Sequence, residues 1–333
     1  MIRGNQNIGK RALLIIWTML LVSVWPMSVA AAQDEKTKVA KGVTIKIDGD
    51  KVKISDPIRK QDERVYLSVA NIASIFGAKS KWDKENEETT INSAQGDKIV
   101  LGNGVPVVYF NEGRYVMKEE PFLVGGKMYM PLRQMAELLH ATVKWNDEEN
   151  TAEITTVKPA VVAADYGLAE ISKQHGSTKA ELLKRNGLDS KDPIKEGTKL
   201  LVVVPSIFDN EAKPFTEEDI TLLAKITQVE AGNESYEGQL GVANVILNRV
   251  KDSRFPKSIK GVIYSGKQFP PAHNGMLDKS KPNESVKRAA KDALNGKNNV
   301  GGAVYFFNPK VSKGSFWDNL DVIVTIGHHS FAK

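Results

Sequence analysis

TQVEAGNESYEGQLGVANVILNRV, residues 227–250, sets three glutamates, Glu230, Glu234 and Glu237, between two apolar helical runs. Just upstream, Thr216 has the side chain of a helix N-cap, and Glu217, Glu218 and Asp219 suit the positive first turn that follows. Ile220, Leu223 and Ile226 then recur three residues apart, and Thr227 and Glu230 continue the same face. This spacing predicts a helix that ends with Glu230 on its core-facing side. A carboxylate there opposes the helix dipole, and partial burial disfavours its charge further, so both effects favour the protonated acid. Such an acid can deliver a proton to a leaving oxygen; the competing reading is a solvated helix end. Val242, Ile246 and Val250 lie along one side of the second run, so two helices are expected to cross near Glu230.

The chain around this stretch has 333 residues, enough for two to four domains. Its first 32 residues read as a secretory signal: basic Arg3, Lys10 and Arg11, then the apolar ALLIIWTMLLVSVW, then the small residues of SVAAA. No second apolar stretch is long enough to span a bilayer, so the mature chain is expected to have no integral membrane span. Removing the signal lowers the formal charge from +6 to about +3, far from a nucleic-acid footprint. With no cysteine in the chain, disulfides, thiolate metal sites and cysteine nucleophiles are all excluded.

Residues 65–91 align without gaps on residues 128–154, pairing Tyr66 with Tyr129, Trp82 with Trp145 and Ile91 with Ile154 at a constant offset of 63. That is a duplicated unit. Each copy reads as strand, helix and hairpin, with Val69, Ile72 and Phe76 on the helix face of the first and Leu132, Met135 and Leu139 on that of the second. Trp82 and Trp145 fall in the apolar phase of their strands, which points to a structural module. Farther on, Lys158-Pro159 and AVVAAD read as a plain linker. The next segment has a helix over Leu168 and Ile171, a second begun by the capping pair Thr178/Glu181 and stopped at Asn186-Gly187, and a strand in KLLVVVP. Asp209-Asn210-Glu211 and Pro214 mark another linker.

These residues carry three resemblances. MPLRQMAELLHATVKWNDEENTAEIT resembles the copper amine oxidase N-terminal-like domain, over about residues 43–157. His140 is the sole histidine of that region, a poor basis for a copper site. ISKQHGSTKAELLKRNGL and IKEGTKLLVVVP, within 160–205, resemble a LysM domain of βααβ form, although Asp165, Tyr166, Gly167 and Leu168 replace its usual opening. Residues 214–333, with VEAGNESYEGQLGVANVILNRV, FPKSIKGVIY, QFPPAHNG, AVYFFNP and IGHHSF, resemble the catalytic domain of SleB-type cell wall hydrolases. The whole is then a multidomain α+β chain whose last domain is mainly α and lysozyme-like.

The last resemblance implies cleavage of peptidoglycan glycan strands by a lytic transglycosylase with Glu230 as its acid, although Val229 stands where the family has glycine. It also implies substrate or loop contacts from Glu237, Gln239, Gln268, Phe269, Tyr305 and Asn308, and a bracing role for His329. Glu234 is expected to be a solvated loop residue, and the basic face of the helix in PNESVKRAAKDALNG is expected to be solvated too. No cofactor or metal is indicated. Two rivals remain at this stage: a wall protein that only holds glycan, and a hydrolytic muramidase that would need a second carboxylate at Glu234 or Glu237. An amidase or endopeptidase would need the missing cysteine or a zinc motif that the sequence lacks.

Overall fold

The computed structural model describes residues 37–266 and 268–333. The signal read in residues 1–32 lies outside the described residues. Among the described residues no helix is long and apolar enough to cross a membrane.

Both repeat copies adopt the strand–helix–hairpin order that the sequence implies. The first comprises β1 (Arg64–Ser68), α1 (Val69–Ile75), β2 (Lys79–Asp83) and β3 (Glu88–Asn92); the second comprises β4 (Lys127–Pro131), α2 (Leu132–Leu138), β5 (Ala141–Asn146) and β6 (Thr151–Thr156). The copies meet through their first strands, β1 and β4, which pair antiparallel with Leu67 opposite Met130. Their hairpins part company: β2–β3 joins a sheet with strands 98–102, 107–110 and 113–116, whereas β5–β6 joins strands 44–47 and 50–52. One core spans the duplicate, including Leu67, Ile72, Ile91, Met130, Met135 and Ile154. Trp82 does not belong to it. Every residue of β2 is solvent-facing and the Trp82 ring is 39% exposed, because β2 is the open edge of its sheet. His140 is buried, and burial pushes its imidazole down to about 4, so it stays neutral.

The segments read as linkers are not free. Ala160–Val161 forms strand β7 and pairs with β8 (Lys199–Leu200), enclosing α3 (Leu168–Gln174) and α4 (Lys179–Arg185) around Val162, Ile171, Leu182 and Leu200. The Thr178/Glu181 capping pair is in place, with the Glu181 amide donating to Thr178 Oγ1 at 3.1 Å and the Thr178 amide donating to the Glu181 carboxylate at 2.7 Å. Beyond β8, Ile207 and Phe208 insert into the core of the first module, where the Phe208 ring stacks on Tyr115 at 4.9 Å. The backbone of 210–212 hydrogen-bonds along the edge strand 113–116. A bidentate ion pair ties the small module to the first. The Arg185 guanidinium donates to both carboxylate oxygens of Asp97 at 3.0 and 2.7 Å and to the Val203 carbonyl at 3.0 Å, with both partners buried.

The last unit is built on α5 (Glu217–Ala231), α6 (Tyr236–Lys251), α7 (Ile259–Tyr264) and α8 (Glu284–Leu294). A three-stranded sheet packs beside them, in the order β9 (Tyr305–Phe307), β11 (His329–Ala332), β10 (Val322–Ile326). Gly241 lets α6 approach this sheet, since a Cβ there would sit 2.5 Å from the Phe331 ring. The basic face of α8 is docked rather than solvated. Arg288 pairs with Glu87 of the first module at 2.8 Å, Lys291 pairs with Glu88 at 2.7 Å, and Lys297 donates to the Asn103 carbonyl at 2.8 Å. The same Arg288 lies 4.1 Å from the centre of the Tyr236 ring, whose hydroxyl donates to Asp292. The first module thus touches the helix that backs the start of α6.

Candidate active site

Glu230 sits one residue from the C-terminal end of α5, on the face that also carries the buried Leu223, Ile226 and Thr227. Its carboxyl is half-buried and makes no hydrogen bond or ion pair among the described residues. Burial raises its pKa above the ordinary value, and the charge of Arg249 only partly offsets this. One turn earlier the buried Thr227 hydroxyl has no hydrogen-bond partner.

Arg249 is a neighbour of Glu230 that the sequence analysis does not single out. It is buried, its Nε donates to the Val304 carbonyl at 2.7 Å, and its guanidinium lies between the rings of Phe255, Phe269 and Tyr305 at 5.2 to 5.8 Å. The signal was present: Arg249 stands seven residues after Val242 and three after Ile246, on the buried stripe of α6. Asn248 beside it donates to the carbonyls of Gly301 and Ala303 at 2.8 and 2.9 Å, so the end of α6 fixes the approach to β9.

The loop between α5 and α6 is held from several sides. Ser235 caps α6, accepting from the Gly238 amide at 3.3 Å. Gln239 is buried; its amide donates to the Glu234 carbonyl at 2.9 Å and its oxygen accepts from Ser285 of α8 at 2.7 Å. This corrects its expected role as a substrate contact, because both ends of its side chain brace the loop. Phe269 is corrected likewise: it is 1% exposed and packs against Phe306 at 6.5 Å, leaving no ring face for a sugar.

Glu234 is no solvated loop residue. Its carboxylate accepts the His328 amide at 3.2 Å and lies 2.8 Å from His328 Nδ1, tying the loop to the turn between β10 and β11. That turn contains Gly327 at φ +58, where a Cβ would collide with the Glu234 carboxylate. Burial pushes the Glu234 carboxyl up, but hydrogen bonds from His328 outweigh it and hold the group below its ordinary value. A depressed carboxylate stabilises the fold above the unfolded-state pKa and loses that contribution as pH falls through the folded one. Glu234→Ala is therefore expected to cost about 1–2 kcal/mol at pH 7, a difference that shrinks as urea denaturation is repeated toward pH 3.

The remaining expected residues lie around this frame. Glu237 is exposed in the first turn of α6. Tyr305 is half-buried beside Arg249, with Phe316 edge-on to it at 5.6 Å. Asn308 is half-buried, and its side-chain oxygen accepts from the Lys310 amide at 3.0 Å, shaping the turn after β9. Gln268 is exposed. Burial lowers the pKa of His329, whose ring stands edge-on to Phe306 at 5.4 Å and closes this side.

Comparison with known proteins places this geometry in context. Residues 233–332 match the Cell Wall Hydrolase family, beginning three residues after Glu230. Residues 46–154 match the copper amine oxidase N-terminal domain and residues 168–203 the LysM domain. A spore cortex-lytic enzyme of Bacillus cereus is 37% identical over 37% of this chain and 48% of its own length. Another, of Oceanobacillus iheyensis, is 36% identical over 39% of this chain and 46% of its length. The chain thus spans about half the length of these curated relatives. A solved structure of the catalytic domain of the germination-specific lytic transglycosylase SleB from Bacillus anthracis is 36% identical, covering 36% of this chain and 98% of that one with a TM-score of 0.35. The chain therefore joins a copper amine oxidase N-terminal domain match, a LysM match and a C-terminal segment similar to the SleB-type cell wall hydrolases.

Proposed function

We propose that this chain is an exported peptidoglycan-cleaving enzyme, acting at the cell wall or spore cortex, that cuts the bond between MurNAc C1 and GlcNAc O4 as a lytic transglycosylase. The domains would be a tandem-repeat module at 43–157, a LysM-like glycan binder at 160–205 and a catalytic domain at 214–333. The observation that carries the reading is the half-buried, unpaired carboxyl of Glu230, its pKa raised by burial. A carboxyl raised in this way keeps its proton to higher pH than an ordinary glutamate, the direction a general acid needs. The names of the relatives, spore cortex-lytic enzymes, agree with it.

In this mechanism Glu230 protonates the glycosidic oxygen as the C1–O4 bond breaks, and the bonding pair stays on that oxygen. The MurNAc C6 hydroxyl then closes on C1 and returns its proton to Glu230, leaving a 1,6-anhydro sugar. Between the two steps the carboxylate is charged, and the nearby guanidinium of Arg249 favours that form. A muramidase would need a second carboxylate beside the bond. Glu234 is engaged by His328, and Glu237 is exposed in the first turn of α6. Both facts favour the single-acid route. Tyr305, Asn308 and Glu237 are the proposed substrate contacts.

The wild-type protein is expected to release soluble fragments from purified peptidoglycan. Wall binding by co-sedimentation with no fragments released would instead make the protein a glycan binder.

A further inference from the structure

A cavity of about 520 Å³ opens in the first module, remote from Glu230, between α2, β5 and the turn at Ser206–Asp209. That volume lies within the range of small-molecule sites. Its charged lining sets Arg64, Lys118 and Arg133 beside Glu63, Glu119 and Glu137, with Arg64 paired to Glu119 and Glu137 accepting from Ser206, and Gln134, Trp145 and Ile207 are also in the wall. Three features make it more than a packing gap. Gln134 Oε1 is buried without a hydrogen-bond partner, a costly state unless a donor arrives. Arg133 and Lys118 make no ion pair or hydrogen bond among the described residues. The half-buried Trp145 has its indole N–H fixed on Asp147 at 2.8 Å, which orients the ring at the cavity wall.

The duplicated unit supplies an internal control. At the constant offset of 63, Arg133, Gln134, Glu137 and Val143 correspond to Ala70, Asn71, Ser74 and Ser80. In the first copy the amide is fully engaged. Asn71 Nδ2 donates to Asp56 and to Ser68 Oγ, and its Oδ1 accepts from Ser55 at 2.7 Å. The second copy has a longer amide with a free buried acceptor, beside an arginine where the first has alanine. The same fold therefore carries unpaired polar groups in one copy and a closed network in the other.

We infer that this cavity binds an acidic N-acylated saccharide, a muropeptide fragment of peptidoglycan. The unpartnered Gln134 oxygen fits an amide N–H or sugar hydroxyl, the free Arg133 and Lys118 fit a carboxylate, and an indole face fits a sugar ring. The choice of peptidoglycan as the source rests on the function proposed above; the cavity and its chemistry do not. The occupied cavity would hold wall material against the same module that docks on α8.

The test is hydrogen exchange of the full chain with and without a purified disaccharide-tetrapeptide, with inorganic phosphate as a control. Binding is expected to slow exchange in 131–145 and 206–210. Arg133→Ala, an exposed position, and Gln134→Leu are each expected to weaken that protection at least about tenfold, near 1.4 kcal/mol. Protection confined to 227–240 or 160–203, equal binding by Arg133→Ala, or equal protection by phosphate alone would overturn the assignment. Fragment release from whole peptidoglycan is read separately. Cavity protection without release would sink the enzymatic reading alone, and release without cavity protection would sink this one alone.

Discussion

Glu230→Gln is expected to lower fragment release from purified peptidoglycan by about 100- to 10,000-fold, the usual contribution of a positioned acid. Glutamine keeps the shape of the side chain and removes only the proton that can be given and recovered. The folded protein should not suffer. Because burial raises the pKa of Glu230, the native state binds that proton more tightly than the unfolded chain does. Its contribution to stability is therefore fully present below the ordinary glutamate pKa and is lost as pH rises through the raised folded value. Above that folded value the wild type bears the cost of a charged, half-buried carboxylate, which the neutral amide of the variant does not. The variant is thus expected to be as stable as wild type or more so at pH 7, with its relative advantage fading toward pH 4. Wild-type activity should follow the same proton and fall as pH rises through the folded pKa of Glu230. Loss of activity together with loss of folding would mean a structural role for Glu230.

The second large effect is on stability. Arg185→Ala is expected to cost about 3–5 kcal/mol, because it strands the buried Asp97 carboxylate that the guanidinium now grips at two points. The loss should appear as a lower urea midpoint and as separate unfolding of the small module. Replacing both partners, Arg185→Met with Asp97→Leu, should restore much of that stability, because a buried ion pair contributes little over an apolar pair of similar size. If Arg185→Ala unfolds at the wild-type midpoint, the two modules are not coupled through this contact.

What was legible in the sequence was local. Thr216 and Thr178 announce helix starts because a cap and its partner amide lie three residues apart, and both caps are made. The repeat was readable because a duplicated unit keeps its register, although nothing in the pattern told that β1 and β4 would pair while their hairpins join different sheets. Glu230 could be placed by periodicity, since Leu223, Ile226 and Thr227 fix its face. The readings that failed depend on distant partners. Glu234 looked solvated because its partner, His328, lies 94 residues on. The basic face of α8 looked solvated because Glu87 and Glu88 belong to another module. Gln239 and Phe269 were matched by motif to substrate contacts, yet Ser285 and Phe306 engage them inside the fold. A motif records which residue types occur together and does not tell whether a side chain faces the ligand or the core.

The central claim is that one carboxyl, without a second, cleaves the glycan by intramolecular closure. Mass spectrometry of purified peptidoglycan digested by the wild-type protein tests it most directly, with Glu230→Gln alongside. The account predicts muropeptides ending in 1,6-anhydro-MurNAc from the wild type and none from the variant. Reducing-end MurNAc in their place would contradict it, because water would then have attacked C1 with the help of a second group.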